Sequence, residues 1–368
     1  MAVLGPADLK DIVLPTLWDQ TYLQNVRLQG NQSFESVMAD VRAGLGMFNS
    51  ADLLGMEHFR DMIAVQDTPE VEYATGTTAG VEEFVEYKVA DPRRGATTGH
   101  ILPRKVWDRS LGWTLLYLQR ARATKIDADL RSAFTDIRLH YQKRALQQFF
   151  RSTAITVGAA GKSVPFADGG TADSTYVPYT SPRGSTFAST HSHFLRQAAT
   201  LTTALVDAAI LHLWEHGHDG PYEIIIPQAD IATWQGLASY RAPAWADLRY
   251  MSNTTVRADL VDISSDIFGY YESPYGLAKL WATPLLPTGY YGVFKPYGPQ
   301  DPRNPLRIYF NPDIGLGWNV APGMYINAPQ FMAVLMAEFD FGVGEDRTNG
   351  VAVLNASGGS YIDPTIFS

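Results

Sequence analysis

The pattern in this chain that most resembles an enzyme site is the H-x-x-E-H segment His212–His216. In one class of zinc hydrolases, two histidines four residues apart share a helical face and the glutamate beside them acts as the base. Gly217 ends the predicted helix directly afterwards, and a histidine in a last helical turn is also explained by its favourable contact with the carbonyl end of the helix dipole. We therefore favour a structural role for this segment and keep a zinc-dependent hydrolase as the less favoured alternative.

Further histidines flank this segment, in His191-Ser192-His193 and at His218. Residues i and i+2 of a helix point about 200° apart. Neither His191 with His193 nor His216 with His218 can therefore chelate an ion from regular helical geometry. A structural histidine network is the favoured interpretation, and no metal ligand is predicted.

A second short pattern, Gly158–Ser163, ends like a phosphate-binding loop with Gly-Lys-Ser. The motif requires a glycine where this chain has Thr156, and a helix must open at the lysine, yet Pro165 follows at once. The segment is predicted to be a flexible loop. No nucleophile elbow and no dinucleotide fingerprint occurs elsewhere in the sequence, so we predict no catalytic residue, no cofactor and no enzymatic activity.

Composition limits the remaining function classes. The 368 residues carry 29 Lys plus Arg against 38 Asp plus Glu, a net charge of −9, and no cysteine, which excludes disulfides, thiolate metal sites and a cysteine nucleophile. The acidic total argues against a sequence-independent nucleic-acid binder. Only 18% of residues are charged, which is typical of a chain that buries much of its surface against other subunits. No apolar run is long enough to span a membrane, and we expect a protein made and used in the cytoplasm.

Between Pro69 and Pro103 the sequence alternates apolar and charged residues, which predicts a β-hairpin. A turn at 91–95 places Arg93 and Arg94 at its tip. A charged two-stranded hairpin has little core of its own and needs a surface on which to lie.

Helical periodicity begins near Leu111, and a 3.6-residue repeat from about 124 to 149 predicts one very long helix. Its apolar face comprises Ile126, Leu130, Phe134, Ile137, Tyr141, Ala145 and Phe149. Two further helices are expected, at Ser33–Val41 and Ser192–His216. A buried strand is expected at Glu223–Pro227, and a long strand at Phe331–Val343 is expected to pair antiparallel with Val351–Leu354.

In this order of elements the chain resembles the major capsid proteins of tailed bacteriophages, which have the Hong Kong phage-type capsid fold that encapsulins share. The resemblance covers the chain from about residue 70 onward. It is carried by Gly99–Pro103, Leu111–Thr114, the long helix, Thr190–Phe194, Glu215–His218, Phe341–Gly344 and Asp346–Thr348.

The resemblance implies an α+β fold with an N-terminal arm, an extended β-hairpin loop, a peripheral domain with a long spine helix, and an axial α/β domain. On this sequence the arm is 1–66, the loop 67–110, the peripheral domain 111–218 with 331–368, and the axial domain 219–330.

The function that the resemblance implies is that of a structural subunit of an icosahedral bacteriophage head, which self-assembles into pentamers and hexamers around packaged double-stranded DNA. Expected partners are further copies of the chain, a separate scaffolding protein, a portal protein and packaged DNA through weak contacts, with a decoration protein as a further partner that the resemblance allows. We expect the scaffolding protein to be separate because Met1 lies too few residues before the hairpin for both scaffold and arm. The chain would be assembled in the bacterial host cytoplasm and would end in the virion. An encapsulin-like compartment shell is the alternative.

The candidate inter-subunit contacts lie on the hairpin, with Arg93 and Arg94 expected to form salt bridges to an acidic neighbouring surface. The candidates are Arg93, Arg94, Lys88, Glu83 and Glu86. Lys88 with Asn349 or Asn355 could in principle form an inter-subunit isopeptide bond, but a solvated lysine and two turn asparagines are favoured. For the inner face that meets DNA, basic residues of the long helix are expected, namely Arg138, Lys143 and Arg144.

Overall fold

The computed structural model describes residues 61–75, 96–114, 123–159, 161–243, 267–313, 315–320, 325–327 and 330–366, together with residues 39, 42–46, 49, 117 and 120. Of the predicted helix at Ser33–Val41 only residue 39 is described, and it is helical; most of the predicted arm lies outside the described residues. The chain divides into two compact units. The smaller unit comprises Met1–Gly55, Lys105–Tyr141 and Phe310–Phe339, and the larger unit comprises Met56–Arg104, Gln142–Tyr309 and Asp340–Ser368.

Three α-helices and seventeen strands have both ends within the described residues, and the short described run 42–46 is also helical. The helices are α1 (Ala123–Phe149), α2 (Thr203–Glu215) and α3 (Ile231–Gln235). The strands are β1 (Ile63–Gln66), β2 (Glu70–Thr75), β3 (Ala96–Ile101), β4 (Lys105–Thr114), β5 (Ile155–Val157), β6 (Gly161–Ser163), β7 (Phe194–Gln197), β8 (Tyr222–Pro227), β9 (Tyr240–Arg241), β10 (Ile267–Ser273), β11 (Gly276–Thr283), β12 (Tyr290–Phe294), β13 (Leu306–Phe310), β14 (Asn319–Val320), β15 (Tyr325–Asn327), β16 (Gln330–Val343) and β17 (Val351–Asn355). No helix among them is long and apolar enough to cross a membrane.

The long helix is confirmed, although it begins later than the first helical signal. It contains 27 residues, and its predicted apolar face is buried at Leu130, Ile137, Tyr141, Ala145 and Phe149. The expectation that helical structure begins near position 111 is wrong, because 105–114 form strand β4. A short apolar run fits a strand as well as a helix, and here backbone pairing with a partner strand decides the outcome.

In the smaller unit that partner is β16. Strands β4 and β16 pair antiparallel from Gln330↔Thr114 to Phe339↔Lys105, and β14 and β15 also pair with β16. The predicted strand at 331–343 is therefore confirmed with one more residue. Tyr141 stacks on Phe339 at 4.1 Å between ring centroids, which packs the helix against this strand.

The larger unit is built on a seven-stranded sheet in the order β7-β17-β12-β8-β11-β10-β9. Strand β8 is buried along its whole length, as its β-branched run predicted. Strand β17 pairs antiparallel with β12 and parallel with β7. The predicted hairpin between 331–343 and 351–354 is therefore wrong. The same sheet joins β7 and β17, from the predicted peripheral domain, to strands of the predicted axial domain.

The predicted helix at Ser192–His216 is only half correct. Phe194–Gln197 is a strand paired with 352–355, and α2 starts at Thr203. Leu195 lies on the edge strand of the sheet and packs against the main core, so this apolar residue belongs to a strand and not to a helical face. The helix ends as predicted, because Gly217 has φ +89° and His218 N donates to Leu213 O at 3.1 Å, as in a Schellman motif.

The segment that resembles a phosphate-binding loop is a β-hairpin, not the flexible loop that was expected. Strand β5 pairs with β6 from Ile155↔Ser163 to Val157↔Gly161. The turn uses Gly158 at φ +61°, and Lys162 lies within β6 on an extended backbone. Because Lys162 lies in a strand, no helix opens at the lysine, as the phosphate-binding motif requires.

Candidate functional site: a hairpin and two buried polar centres

The predicted hairpin is confirmed at its base, where β2 and β3 pair antiparallel from Glu70↔Ile101 to Thr75↔Ala96. Its first strand alternates strictly, since Val71 and Tyr73 are buried whereas Glu70 and Glu72 are exposed. The candidate contacts Arg93, Arg94, Lys88, Glu83 and Glu86 lie outside the described residues. The base therefore has an anchored apolar face and an exposed acidic face.

A buried arginine anchors the apolar face of the hairpin. Arg347 is 0% exposed, and its guanidinium donates to Tyr73 Oη at 3.1 Å, to Asp173 Oδ2 at 3.3 Å and to Pro165 O at 2.9 Å. The guanidinium also lies 3.9 Å from the ring centroid of Tyr176. We call Arg347 and the groups around it, which are Tyr73, Asp168, Asp173 and Tyr176, the arginine centre.

A histidine on the second strand adds another anchor. His100 is 5% exposed, and its Nε2 lies 3.1 Å from Val343 O, at the end of β16. Burial, with the nearby Arg347 charge as a smaller cause, lowers the pKa of His100 to about 4. The imidazole is therefore neutral at pH 7 and donates its Nε2 proton to that carbonyl.

The second polar centre of the larger unit is a group of three histidines. His191, His193 and His216 each offer a ring nitrogen, and these atoms lie within 4.8 Å of one another. His216 Nε2 is 3.0 Å from His191 Nε2 and 3.1 Å from His193 Nε2. We call these three residues the histidine cluster. His193 and His216 are 0% and 2% exposed.

The backbone around the cluster is fixed from several sides. His193 N donates to Ala167 O at 2.7 Å, and Ala352 N donates to His193 O at 2.9 Å. The ring of His193 is oriented by Gly350 O, which lies 2.9 Å from Nδ1. Because a carbonyl only accepts, Nδ1 carries the proton, and the neutral ring directs the Nε2 lone pair at His216.

All three imidazoles of the cluster are neutral at pH 7. Burial, reinforced by the neighbouring histidines, lowers the pKa of His216 to about 2 and holds that of His193 well below its ordinary value. Burial also lowers the pKa of His191, which is only half-buried. Phe187 covers the cluster, with its ring stacked 3.9 Å from that of His216.

The H-x-x-E-H segment therefore contributes one ring to the cluster. The ring centroid of His212 lies 5.2 Å from that of His191 and 5.7 Å from that of His193, and His212 is not among the three converging nitrogens. Burial raises the pKa of Glu215. His218 belongs to a separate network, with Nδ1 2.8 Å from Tyr297 Oη and Nε2 3.0 Å from Thr348 Oγ1.

Helical geometry misled the sequence analysis about the first histidine pair. Ser192, between them, forms an isolated β-bridge with Asp168, so the backbone there is extended. In extended backbone, residues i and i+2 share one face, which lets both rings reach His216.

Two further expectations concern single polar residues. Asn349 lies in a turn, as expected, with its backbone N donating to Asp346 O. It is also 0% exposed, its Nδ2 donates to Lys295 O and Arg303 O, and its Oδ1 accepts from Lys295 N, so this turn asparagine is an internal brace. Arg144 is also buried, in an ion pair with Asp340 at 2.6 Å, and therefore does not face DNA as expected. Arg138 is exposed on α1, as that expectation requires.

Comparison with known proteins identifies the architecture. No family model matches the chain, and no curated protein matches it. Among solved structures, one from Mycobacterium phage Patience superposes with a TM-score of 0.64 at 14% identity, over 95% of both chains. The chain has the Hong Kong phage-type capsid fold.

Other matches score lower. The capsid of the native GTA particle has a TM-score of 0.48 at 11% identity, over 83% of this chain and 91% of that chain. The holo-SrpI encapsulin complex of Synechococcus elongatus has a TM-score of 0.44 at 10% identity, over 80% of this chain and 84% of that chain.

Proposed function

We propose that this protein is the major capsid subunit of a tailed bacteriophage, a structural and non-enzymatic protein that self-assembles into pentamers and hexamers and encloses double-stranded DNA. The observation that carries the proposal is the fold match along 95% of both chains to a structure from a phage. The proposed domains are an N-terminal arm at 1–66, a hairpin loop at 67–110, a peripheral domain with the spine helix at 111–218 and 331–368, and an axial domain at 219–330.

The hairpin supports an assembly role. Its base is fixed to the body of the subunit by Val71, Tyr73 and His100, all buried, whereas the opposite face exposes Glu70 and Glu72. A fixed base lets the hairpin deliver contacts to a neighbour without losing much conformational entropy on association. Repeated heterologous contacts of this kind close into rings and shells.

Arg93 and Arg94, with Lys88, Glu83 and Glu86, are the proposed contacts of the hairpin tip with a neighbouring subunit. Salt bridges at the rim of an interface are screened by salt, so their contribution falls as ionic strength rises. The proposed partners beyond the chain itself are a scaffolding protein, a portal protein, a decoration protein and the packaged DNA. The proposed location is the virion, after assembly in the host cytoplasm.

A charge-reversal experiment tests the hairpin assignment. The double variant Arg93→Glu, Arg94→Glu is compared with Lys125→Glu, Arg131→Glu, which reverses two exposed charges on α1. Sedimentation velocity at low and high salt should show fewer large particles for the hairpin variant and normal assembly for the control. Equal assembly of both variants at all salt concentrations would contradict the proposed contacts.

The contents of the particles decide between a virus and a cargo compartment. Particles purified from infected or reconstituted cells should contain nuclease-protected double-stranded DNA. Particles that contain a single cargo enzyme and no DNA would favour the encapsulin-like alternative.

A further inference from the structure

The histidine cluster points to a ligand that neither the capsid fold nor the proposed function requires. We propose that His191, His193 and His216 form a binding site for a divalent transition-metal ion of the zinc class, with the three Nε2 atoms as ligands. The inference stands on the geometry of the larger unit alone and does not depend on the proposed function.

The distances fit the proposed coordination. Three nitrogens bound to tetrahedral Zn²⁺ at about 2.0–2.1 Å lie about 3.3 Å apart. The two measured Nε2–Nε2 distances, 3.0 and 3.1 Å, are within a few tenths of an ångström of that edge. The third pair, His191 and His193, lies within 4.8 Å and has to close toward the same edge when the ion binds.

Hydrogen bonding alone leaves the cluster frustrated. His193 directs a lone pair at His216, because its own proton is engaged by Gly350 O. A single proton on His216 Nε2 can be directed well at only one of its two neighbouring Nε2 atoms. A cation between the three rings converts the facing lone pairs into ligand bonds.

The surroundings have the features of a metal site. Imidazole is a ligand suited to zinc, copper and nickel. The carbonyl of Gly350 orients His193 as an outer-shell partner orients many metal-bound histidines. Half-buried His191 leaves a route by which an ion could enter.

The ion would join segments that are distant in sequence. His191 and His193 lie directly before β7, His216 caps the end of α2, and Gly350 precedes β17. A bound ion therefore restrains the loop and the helix end together and stabilises the folded state by mass action.

The test measures zinc and cobalt on the full-length chain. The wild type, His216→Gln and His191→Gln are dialysed against Zn²⁺ or Co²⁺, and bound metal is determined by elemental analysis. The wild type should hold one ion per chain and show the intense visible absorption of tetrahedral Co²⁺. Both variants should lose the metal, because loss of a ligand weakens binding by more than the about 10–100-fold that loss of an outer-shell partner causes.

A matched control distinguishes this site from the H-x-x-E-H interpretation. His212→Gln changes a neighbouring imidazole on the same helix that lies outside the ligand set, and it should keep the ion. His193→Asn, which retains a donor for Gly350 O but has no Nε2, should lose it even where His193→Ala fails to fold. Zn²⁺ should raise the thermal midpoint of the wild type and of His212→Gln only.

Two results would overturn the proposal. One is a wild type that binds no more zinc or cobalt than His216→Gln and shows no thermal shift with either ion. The other is loss of metal in His212→Gln with retention in His191→Gln, which would assign the ion to the helical pair His212 and His216.

Discussion

The larger unit contains two buried polar centres, and the side-chain nitrogens buried in them have opposite kinds of neighbours. In the arginine centre, the guanidinium meets the carboxylate of Asp173, the hydroxyl of Tyr73 and the carbonyl oxygen of Pro165. In the histidine cluster, imidazole nitrogens face one another at 3.0 and 3.1 Å. One centre pairs donors with acceptors, whereas the other brings together nitrogens that compete for one proton.

This difference assigns the two centres different roles. A buried charge with several satisfied hydrogen bonds fixes a unique arrangement, here the packing of the base of the β2–β3 hairpin within the larger unit. Where three neutral imidazole nitrogens converge, one shared proton leaves at least two lone pairs facing each other, and a bound cation would use these lone pairs as ligands. The arginine centre should therefore depend only on the chain itself, and the histidine cluster on its ion.

The largest expected effect comes from Arg347→Met. Removing this buried charge leaves the carboxylates of Asp168 and Asp173 without their cation, and loss of one partner from a buried pair costs about 3–5 kcal/mol. Chemical denaturation of the unassembled chain measures this free energy of unfolding.

The matched control for that prediction is Arg303→Met. Arg303 pairs with Asp301 at the surface, where its side chain is 60% exposed, and such pairs contribute about 0–1 kcal/mol. Equal losses in the two variants would remove the distinction between a buried centre and a surface ion pair.

A pH dependence at the hairpin base should be the next largest effect. The pKa of His100 is about 4 in the folded chain, because of burial first and Arg347 second, against 6.5 when the ring is exposed. Between these values only the unfolded chain binds the proton, so stability falls as pH drops from 6.5 to 4. The loss has an upper bound of about 3 kcal/mol.

The variant His100→Gln isolates this contribution. Its free energy of unfolding should fall less steeply than that of the wild type below pH 6.5, while the difference between the two stays constant above pH 7.5 or so. Denaturation curves at several pH values give both quantities. Parallel pH profiles would show that His100 does not titrate in the way the buried geometry requires.

A smaller effect is expected for Tyr73→Phe, which removes one hydroxyl acceptor from the guanidinium of Arg347. Asp173 still accepts from the same nitrogen, so the loss should lie at the lower end of the about 1.5–3 kcal/mol that a single hydrogen bond to a charged group contributes. Tyr309→Phe is the control, because its partner Arg104 is exposed and the bond is long at 3.4 Å. If the control lost as much stability as Tyr73→Phe, the arginine centre would not be the anchor of the hairpin.

The smallest effect is expected in the histidine cluster without its ion. In the presence of a chelator, His191→Gln should change the free energy of unfolding by less than about 1 kcal/mol, because a half-buried imidazole is replaced by another polar side chain. With Zn²⁺ present the wild type alone should gain stability. A large loss in chelator would mean that the cluster is a hydrogen-bonded network in its own right.

Sequence periodicity was sufficient where one element buries one face by itself. The spine helix shows this, since residues from Leu130 to Phe149 follow the 3.6-residue repeat and are buried in the structure. Gly217 at the helix end and the alternation of β2 are local signals of the same kind. The fold class came from the family resemblance that the order of such elements carries.

Long-range pairing defeated the same reasoning elsewhere. Phe194–Gln197 has apolar spacing that suits a helix, but in the structure it pairs with residues 352–355 of β17. The error concealed the extended backbone around Ser192 and with it the convergence of His191 and His193. No local signal marked Arg347 as buried, because its partners come from residues 73, 165 and 173.

The measurement that most directly tests the shell-forming role is the light-scattering mass of the purified native chain, with nucleic acid and zinc determined on the same fraction. The proposed function predicts particles of megadalton mass, or discrete pentamers and hexamers where assembly is arrested. A monodisperse monomer or dimer under all assembly conditions, including with candidate scaffolding proteins present, would contradict it.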